Sequence, residues 1–264
     1  MKQKLVIIGN GMAPGRVLDE LFDAGTEDFD ITVFNAEPRT NYDRILLSPV
    51  LSGEKRYEDI VIHDEAWYTA RGISLHKGKP VIDINRRART VTALDGTTAN
   101  WDKLLIATGS QPFLLPVPGI DLPGVVTYRD LDDVEAMLAA AARGGRAVVI
   151  GGGLLGLEAA AGLRAQGMHV SVVHLPPTLM ERQLDTAAAY LLAQALQARG
   201  IIVETAANTR RMLGTELSAA SNSKTAGCCR RTWSWSPSAS GPISRWPKPP
   251  GSRPVAASMS TIRC

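Results

Sequence analysis

An α/β fold made of two successive strand–turn–helix–strand units, followed by an aberrant tail, is what this sequence predicts. Three observations carry that expectation. Residues 4–34 run from an apolar strand through a glycine turn into a helix and a second strand, and residues 147–173 repeat the pattern. Between them, residues 101–110 read as a polar entry, a buried strand and a small-residue turn.

The first unit opens on Lys4-Leu5-Val6-Ile7-Ile8, a β-branched run that stops at Gly9-Asn10-Gly11. Val17, Leu18, Leu21 and Phe22 then recur at helical spacing, and Ile31–Phe34 supplies the next strand, with the acid Glu37 just past its end. Glycines in such a turn allow close backbone approach to a pyrophosphate, the helix N-terminus offers free N–H groups, and the acid accepts ribose hydroxyls. This is a Rossmann-like dinucleotide-binding pattern with one departure. Pro14 stands at the third position of G-x-G-x-x-G, and Gly15 comes one place late. A plain βαβ turn is the alternative for this copy.

The second copy fills all three positions: strand Ala147–Ile150, then Gly151-Gly152-Gly153-Leu154-Leu155-Gly156, a helix from Leu157 to Gln166, and strand Val170–Val173. His174 stands where an acid would meet the ribose of NAD. Positions 174–178 hold no Arg or Lys for a 2′-phosphate, which favours NADH, with a core or surface histidine as the equal alternative.

Composition sets the outer limits. A chain of 264 residues, 45% hydrophobic and 21% charged, has the balance of a globular protein of one or two domains. Gly151, Gly152, Gly153 and Glu158 interrupt the longest apolar stretch, Arg146–Arg164, and the four apolar residues before Gly9 fall short of a secretory segment. A cytoplasmic protein without a membrane partner is expected. Composition then changes after about Gly214. Residues 215–264 carry a net +6 of the total +3, all three cysteines and three of the five tryptophans, and no hydrophobic period, so a disordered tail is expected. A nucleic-acid reading of the positive charge would rest wholly on that tail, and no nucleic-acid partner is expected. His63, His76, His169 and His174 lack metal-ligand intervals, and no thiol precedes Cys228, which excludes a dithiol redox centre in the first 227 residues.

Trp101–Ser110, with Ala107-Thr108-Gly109, resembles the A-T-G segment of FAD/NAD(P)-linked two-dinucleotide-fold reductases. Asn35–Pro38, Asn41–Arg44, Leu51–Gly53 and Pro177–Asp185 further resemble the reductase module that begins the large subunit of assimilatory NAD(P)H nitrite reductases. Ferredoxin and rubredoxin reductases are similar to it as well. The resemblance implies an FAD domain over 1–115, an NAD(P) domain over 116–214 and a non-native-looking 215–264. It implies that Gly9, Gly11 and Ala13 face the FAD pyrophosphate, Glu37 the adenosine ribose, Val81 the adenine edge, and Arg44, Thr108 and Gly109 the flavin. Gly151, Gly153, Leu155 and Gly156 would cradle the nicotinamide nucleotide, with His174 near its ribose. Glu158, placed in the first helical turn, would approach the nicotinamide. An acid there is also favoured by the helix dipole alone.

The implied activity is hydride transfer from NAD(P)H to FAD, with the protein supplying alignment and no catalytic acid or base. Electrons would pass to an acceptor domain or carrier protein, with siroheme and an iron–sulfur cluster expected only in downstream domains. A lone ferredoxin- or rubredoxin-type reductase and an inactive nucleotide-binding fragment are the alternatives. The family's V-G-x-R-P-N return segment is absent. Back-translation of 215–264, read from each codon's third base, permits D-G-R-L-L-P-A-D-L-V-V-V-A-V-G-I-R-P-N-L-A-L-A-K-A-A-G-L, so a frame change near Gly214 is expected.

Overall fold

The computed structural model describes residues 2–25, 28–213 and 261–263. Chain order runs β1 (Gln3–Ile8), α1 (Met12–Asp23), β2 (Phe29–Phe34), α2 (Leu47–Ser52), α3 (Glu65–Ala70) and β3 (Ser74–His76). Four strands follow: β4 (Val81–Asn85), β5 (Thr90–Ala93), β6 (Thr98–Asn100) and β7 (Lys103–Ile106). Then come β8 (Val125–Thr127), α4 (Leu131–Ala142), β9 (Arg146–Ile150), α5 (Leu154–Ala165), β10 (His169–Val173), α6 (Thr186–Ala198), β11 (Ile202–Glu204) and β12 (Thr261–Arg263).

The first unit is a parallel sheet of order β3-β2-β1-β7. Alternation along β1 sends Leu5 and Ile7 into a core with Leu18, Ile31, Val33 and Tyr68, and Val6 and Ile8 into another with Phe34, Val91 and Ala93. The second layer is thus the antiparallel sheet β4-β5-β6, and β1 is covered on both faces, as its unbroken apolar run requires. The sequence reads 103–106 as a buried strand. It is instead the edge of the sheet, and Ile106 is 58% exposed, because no described strand pairs with its outer side.

The second unit is a sheet of order β11-β10-β9-β12-β8, parallel from β11 to β9. β12 lies between β8 and β9, antiparallel to both. Apart from this strand, the expected disordered tail and the frame change fall outside the described residues. Helix α5 begins at Leu154, three residues before the start read from the sequence. Among the described residues no helix is long and apolar enough to cross a membrane.

One core spans both units. Tyr42, Leu47, Val50, Leu51 and Ile60 pack with Tyr128, Leu131, Val134, Leu157 and Leu163. Helix α2 approaches α5 so closely that a Cβ on Gly162 would lie 2.8 Å from the Leu51 side chain, and Gln166 Nε2 donates to the Leu51 carbonyl at 3.0 Å. By packing, α2 is shared between the two stretches that the sequence separates at 115/116.

Candidate functional site

At the first turn, Gly9 takes φ +107° and its N–H donates to the Phe34 carbonyl at 2.8 Å. A Cβ here would lie 2.2 Å from the Ala107 carbonyl oxygen, so glycine lets the turn rest on the loop after β7. Gly11 caps α1 with no side chain bonding the helix's free amides, and nothing lies within 4 Å of where its Cβ would be. Ala13 is exposed in the same first turn. Pro14 is the third helical residue, where a backbone N–H would have no intrahelical partner anyway. Gly15 serves another contact, since a Cβ there would lie 2.4 Å from Asn41 Nδ2. Asn10 is 4% exposed; its Oδ1 accepts from the Tyr68 hydroxyl at 2.9 Å and its Nδ2 has no partner. Open space at Gly11, an uncapped helix N-terminus and an orphaned buried donor fit an anionic pyrophosphate.

Glu37, Arg44 and Tyr42 form one cluster beside this turn. Arg44 Nη2 and the Tyr42 hydroxyl both donate to the Glu37 carboxylate, the latter at 2.7 Å. Burial, reinforced by the bond to Glu37, pushes the Tyr42 hydroxyl far above its ordinary pKa. Arg44 Nη1 donates to the Arg129 carbonyl at 3.1 Å, and Arg129 Nε donates to the Ser110 carbonyl at 3.1 Å. Arg129 therefore joins Arg44 to the exposed Thr108-Gly109-Ser110 turn, where Gly109 has φ +73°. Val81 stands apart, half-buried at the start of β4 against Val6, Ile8 and Phe34.

The second turn repeats the first. Gly151 has φ +127° and donates to the Val173 carbonyl at 2.9 Å; Gly153 caps α5 with open space around it. A Cβ on Gly156 would lie 2.1 Å from the Gly151 carbonyl oxygen, so the helix rests directly on the turn. Leu155 is half-buried in that first helical turn. His174 is 8% exposed and both ring nitrogens are engaged: Nδ1 accepts the Gly152 N–H at 3.0 Å, and Nε2 lies 3.0 Å from Glu181 Oε2. The tautomer satisfying both contacts carries its proton on Nε2. Burial alone would raise the Glu181 carboxyl, but bonds from its own backbone and from His174 outweigh it and hold the group below the ordinary carboxylate range.

Glu158 is the fifth residue of α5, outside the first turn expected for it, because the helix starts earlier than its apolar run suggests. Gly156 looks like part of the turn in sequence, yet its missing side chain is what lets the helix begin there. The dipole alone is therefore a weak reason for an acid at 158, since that effect fades within the first turn. Glu158 Oε2 accepts from Ser48 Oγ at 2.5 Å, and Ser48 Oγ lies 2.8 Å from the Tyr128 hydroxyl. Asn10, Tyr42, Ser48, Tyr128, Arg129 and Glu181 are the site residues that sequence reasoning missed. Ser48 lies within the quoted N-Y-D-R…L-S-G region and was within reach. No local pattern marks Tyr128-Arg129, whose partners lie 80 and 85 positions away.

A profile of pyridine nucleotide-disulphide oxidoreductases matches residues 3–226. The chain is 46% identical over 213 residues to the nitrite reductase [NAD(P)H] of Bacillus subtilis, covering 81% of this chain and 26% of that protein. It is 44% identical over 200 residues to the assimilatory nitrate reductase electron transfer subunit of the same organism, covering 76% of this chain and 26% of that one. It thus spans about a quarter of the length of these curated relatives. Among solved structures, the ferredoxin reductase for the CYP199A2 system of Rhodopseudomonas palustris superposes with a TM-score of 0.73 at 26% identity, covering 81% of this chain and 53% of that one. Paired glycine turns at two uncapped helix N-termini, in sheets of this order, agree with those likenesses, and the chain belongs to the pyridine nucleotide-disulphide oxidoreductase family.

Proposed function

We propose that this chain binds FAD at its first glycine turn and NAD(P)H at its second, and moves electrons from NAD(P)H through FAD to an acceptor, as the reductase module of an assimilatory nitrite reductase. The observation that carries this reading is the matched construction of the two turns: a positive-φ glycine, an open second glycine and an uncapped helix start at Gly9–Met12 and again at Gly151–Leu154. Family membership implies both cofactors. When bound, they supply the hydride chemistry.

The chain's own residues bind and orient. The first-turn amides of α1 and α5, with Gly11, Ala13, Gly153 and Leu155, would hold the two pyrophosphates. Glu37, steadied by Arg44 and Tyr42, would accept the FAD ribose hydroxyls, while Val81 would meet the adenine edge. Arg44, Thr108 and Gly109 would line the flavin side. No cysteine precedes Cys228, so the disulphide chemistry in the family's name has no dithiol in residues 1–227. Residues 1–115 and 116–214 would be the FAD and NAD(P) portions.

We read the dinucleotide as NADH. Residues 174–178 bring no cation to the end of β10, and the Glu181 carboxylate beside His174 opposes a 2′-phosphate there. The acceptor would be nitrite, through siroheme and iron–sulfur groups on further domains. The 46% identity to nitrite reductase favours this over a ferredoxin carrier, for which the solved reductase is 26% identical.

The test is anaerobic. Purified chain is mixed with FAD, freed of excess, and titrated with NADH and then NADPH. Retained flavin bleached by NADH at lower concentration than by NADPH supports the reading. A chain that holds no flavin refutes the reductase and leaves a nucleotide-binding fragment. Reoxidation by ferredoxin, and not by the nitrite-reducing domains, would replace the acceptor.

A further inference from the structure

We infer that His174 is a positioning residue that holds the second glycine turn in its dinucleotide-binding shape, and that the hold is released when its imidazole takes up a second proton. The inference rests on the reading of the second turn as the NAD(P)H site, and it gives the ring a task other than meeting a ribose.

The middle residue of this turn is tied at both of its polar groups. Gly152 donates its N–H to His174 Nδ1 at 3.0 Å, and its carbonyl accepts the Met180 N–H at 2.9 Å. A Cβ on Gly152 would lie 2.8 Å from His174 Cγ and 2.5 Å from Leu179 Cδ2, so the segment after β10 packs directly against the turn. The peptide plane that joins Gly151 to Gly152 is caught between two elements. Its N–H ends on His174, and its oxygen rests against Gly156 in the first turn of α5. Being planar, it cannot swing at one end without pressing on the helix at the other. The amides of Gly153 and Leu155, which would meet the pyrophosphate, follow in the same turn. The first turn is built without this tie. Asn35 follows β2 as His174 follows β10, but its Nδ2 donates to the Arg39 carbonyl at 2.7 Å and its Oδ1 accepts the Glu37 N–H at 3.4 Å.

Only one state of the imidazole makes the tie. An acceptor at Nδ1 needs the proton on Nε2, where Glu181 Oε2 receives it at 3.0 Å. A second proton would land on Nδ1 and set N–H against N–H, so the Gly152 amide must turn away and take the turn with it. His174 is buried, which leaves water little access to replace the lost bond. The charged groups around the ring are Glu181 and Arg182 from the segment after β10, and Glu204 from β11, whose carbonyl accepts the His174 N–H at 2.8 Å. The glycine turn and Leu179 bring none. Burial would raise the Glu181 carboxyl, but bonds from its own backbone and from His174 hold it low, so it stays ionised in the range of about pH 5–8 in which histidine changes charge.

The probes are NAD⁺ and ADP-ribose, which share the pyrophosphate and carry no group that titrates in this range. Binding of each to the purified full chain, with FAD in excess to fill the first turn, is measured at about pH 8 and about pH 5.5 for wild type, His174→Asn and His174→Leu. Wild type should bind both probes about tenfold more weakly, or worse, in acid. General protonation of the surface would strengthen binding of these anions, so a fall has the opposite sign. Asparagine keeps an acceptor in place of Nδ1 and takes up no proton. His174→Asn should therefore bind within about threefold of wild type at pH 8 and lose no more than about twofold on going to acid. His174→Leu has no acceptor, and at both pH values it should bind about as weakly as wild type does in acid. A wild-type affinity indifferent to pH, a fall confined to NAD⁺, or a fall that persists in His174→Asn overturns the inference while the proposed function stands. So does a His174→Leu chain, folded by its Tm, that binds as tightly as wild type at pH 8. A wild-type chain that binds neither probe at pH 8 overturns both.

Discussion

Replacing Gly153 with alanine separates a ligand cradle from a packing contact. Gly153 has φ −84°, an extended backbone that alanine adopts freely, and nothing lies within 4 Å of the new methyl. The cost to the free protein is that of alanine at an N-cap, about 1 kcal/mol or less, a fall in Tm of about 2–4 °C for a chain this size. The bound dinucleotide is another matter. A phosphate oxygen held about 2.9 Å from the amides of this turn occupies the space the methyl would take, so NADH affinity should fall at least tenfold, about 1.4 kcal/mol. Gly156→Ala is the contrast. Its methyl would meet the Gly151 carbonyl oxygen at 2.1 Å, and because both partners are backbone the helix start must slide by about 1 Å. That overpacking should cost about 1–3 kcal/mol and lower Tm whether or not ligand is present. Thermal unfolding with and without NADH, together with a fluorescence titration, reads both effects. A Gly153→Ala chain that binds NADH as tightly as wild type would refute the assignment of that open space to the ligand.

Other consequences can be measured directly. Tyr68 and Tyr128 are pushed up to about 12 by burial, and Tyr42 higher still, so three of the five tyrosines should ionise late in an absorbance titration at alkaline pH. The unfolded chain gives up these protons near pH 10 and the folded one near 12, so stability falls as pH rises between them, by up to roughly 3 kcal/mol per group, and Tyr128→Phe should flatten that slope. Glu181 is shifted the other way: its contribution is full above the ordinary carboxylate range and is lost as pH falls through its depressed pKa. Glu181→Gln should therefore lose less Tm than wild type between pH 5 and about 3. Gly15→Ala drives a methyl against Asn41, whose amide donates to His63 Nδ1 at 3.1 Å and whose oxygen accepts the His63 N–H at 2.9 Å. A loss of about 1–3 kcal/mol in urea unfolding is expected, partly recovered when Asn41 is also replaced by alanine.

What could be read from the chain in advance was local. Each glycine turn is a contiguous pattern whose strand, turn and helix are fixed by neighbours, so Gly9, Gly11, Gly151 and Gly153 stand at the turns where their spacing put them. The start of α5 was misplaced because Gly156 serves two elements at once, and a sequence pattern credits it only to the turn. The exposure of Ile106 was missed because an apolar run records hydrophobicity and not whether another strand arrives beside it. Tyr128 and Arg129 were missed for a different reason. Their meaning lies in partners 80 or more positions away, and spacing along the chain carries no trace of such meetings.

The lodging of α2 in the other unit's core sets an order of events during synthesis. Leu47, Val50 and Leu51 leave the ribosome more than 100 residues before Leu163, an apolar side chain of α5 in the same core. At roughly 5–20 residues per second, those side chains wait about 5–20 seconds for cover. The first half cannot finish folding ahead of the second, and a fragment beginning at residue 116 would face water through the hole that α2 fills.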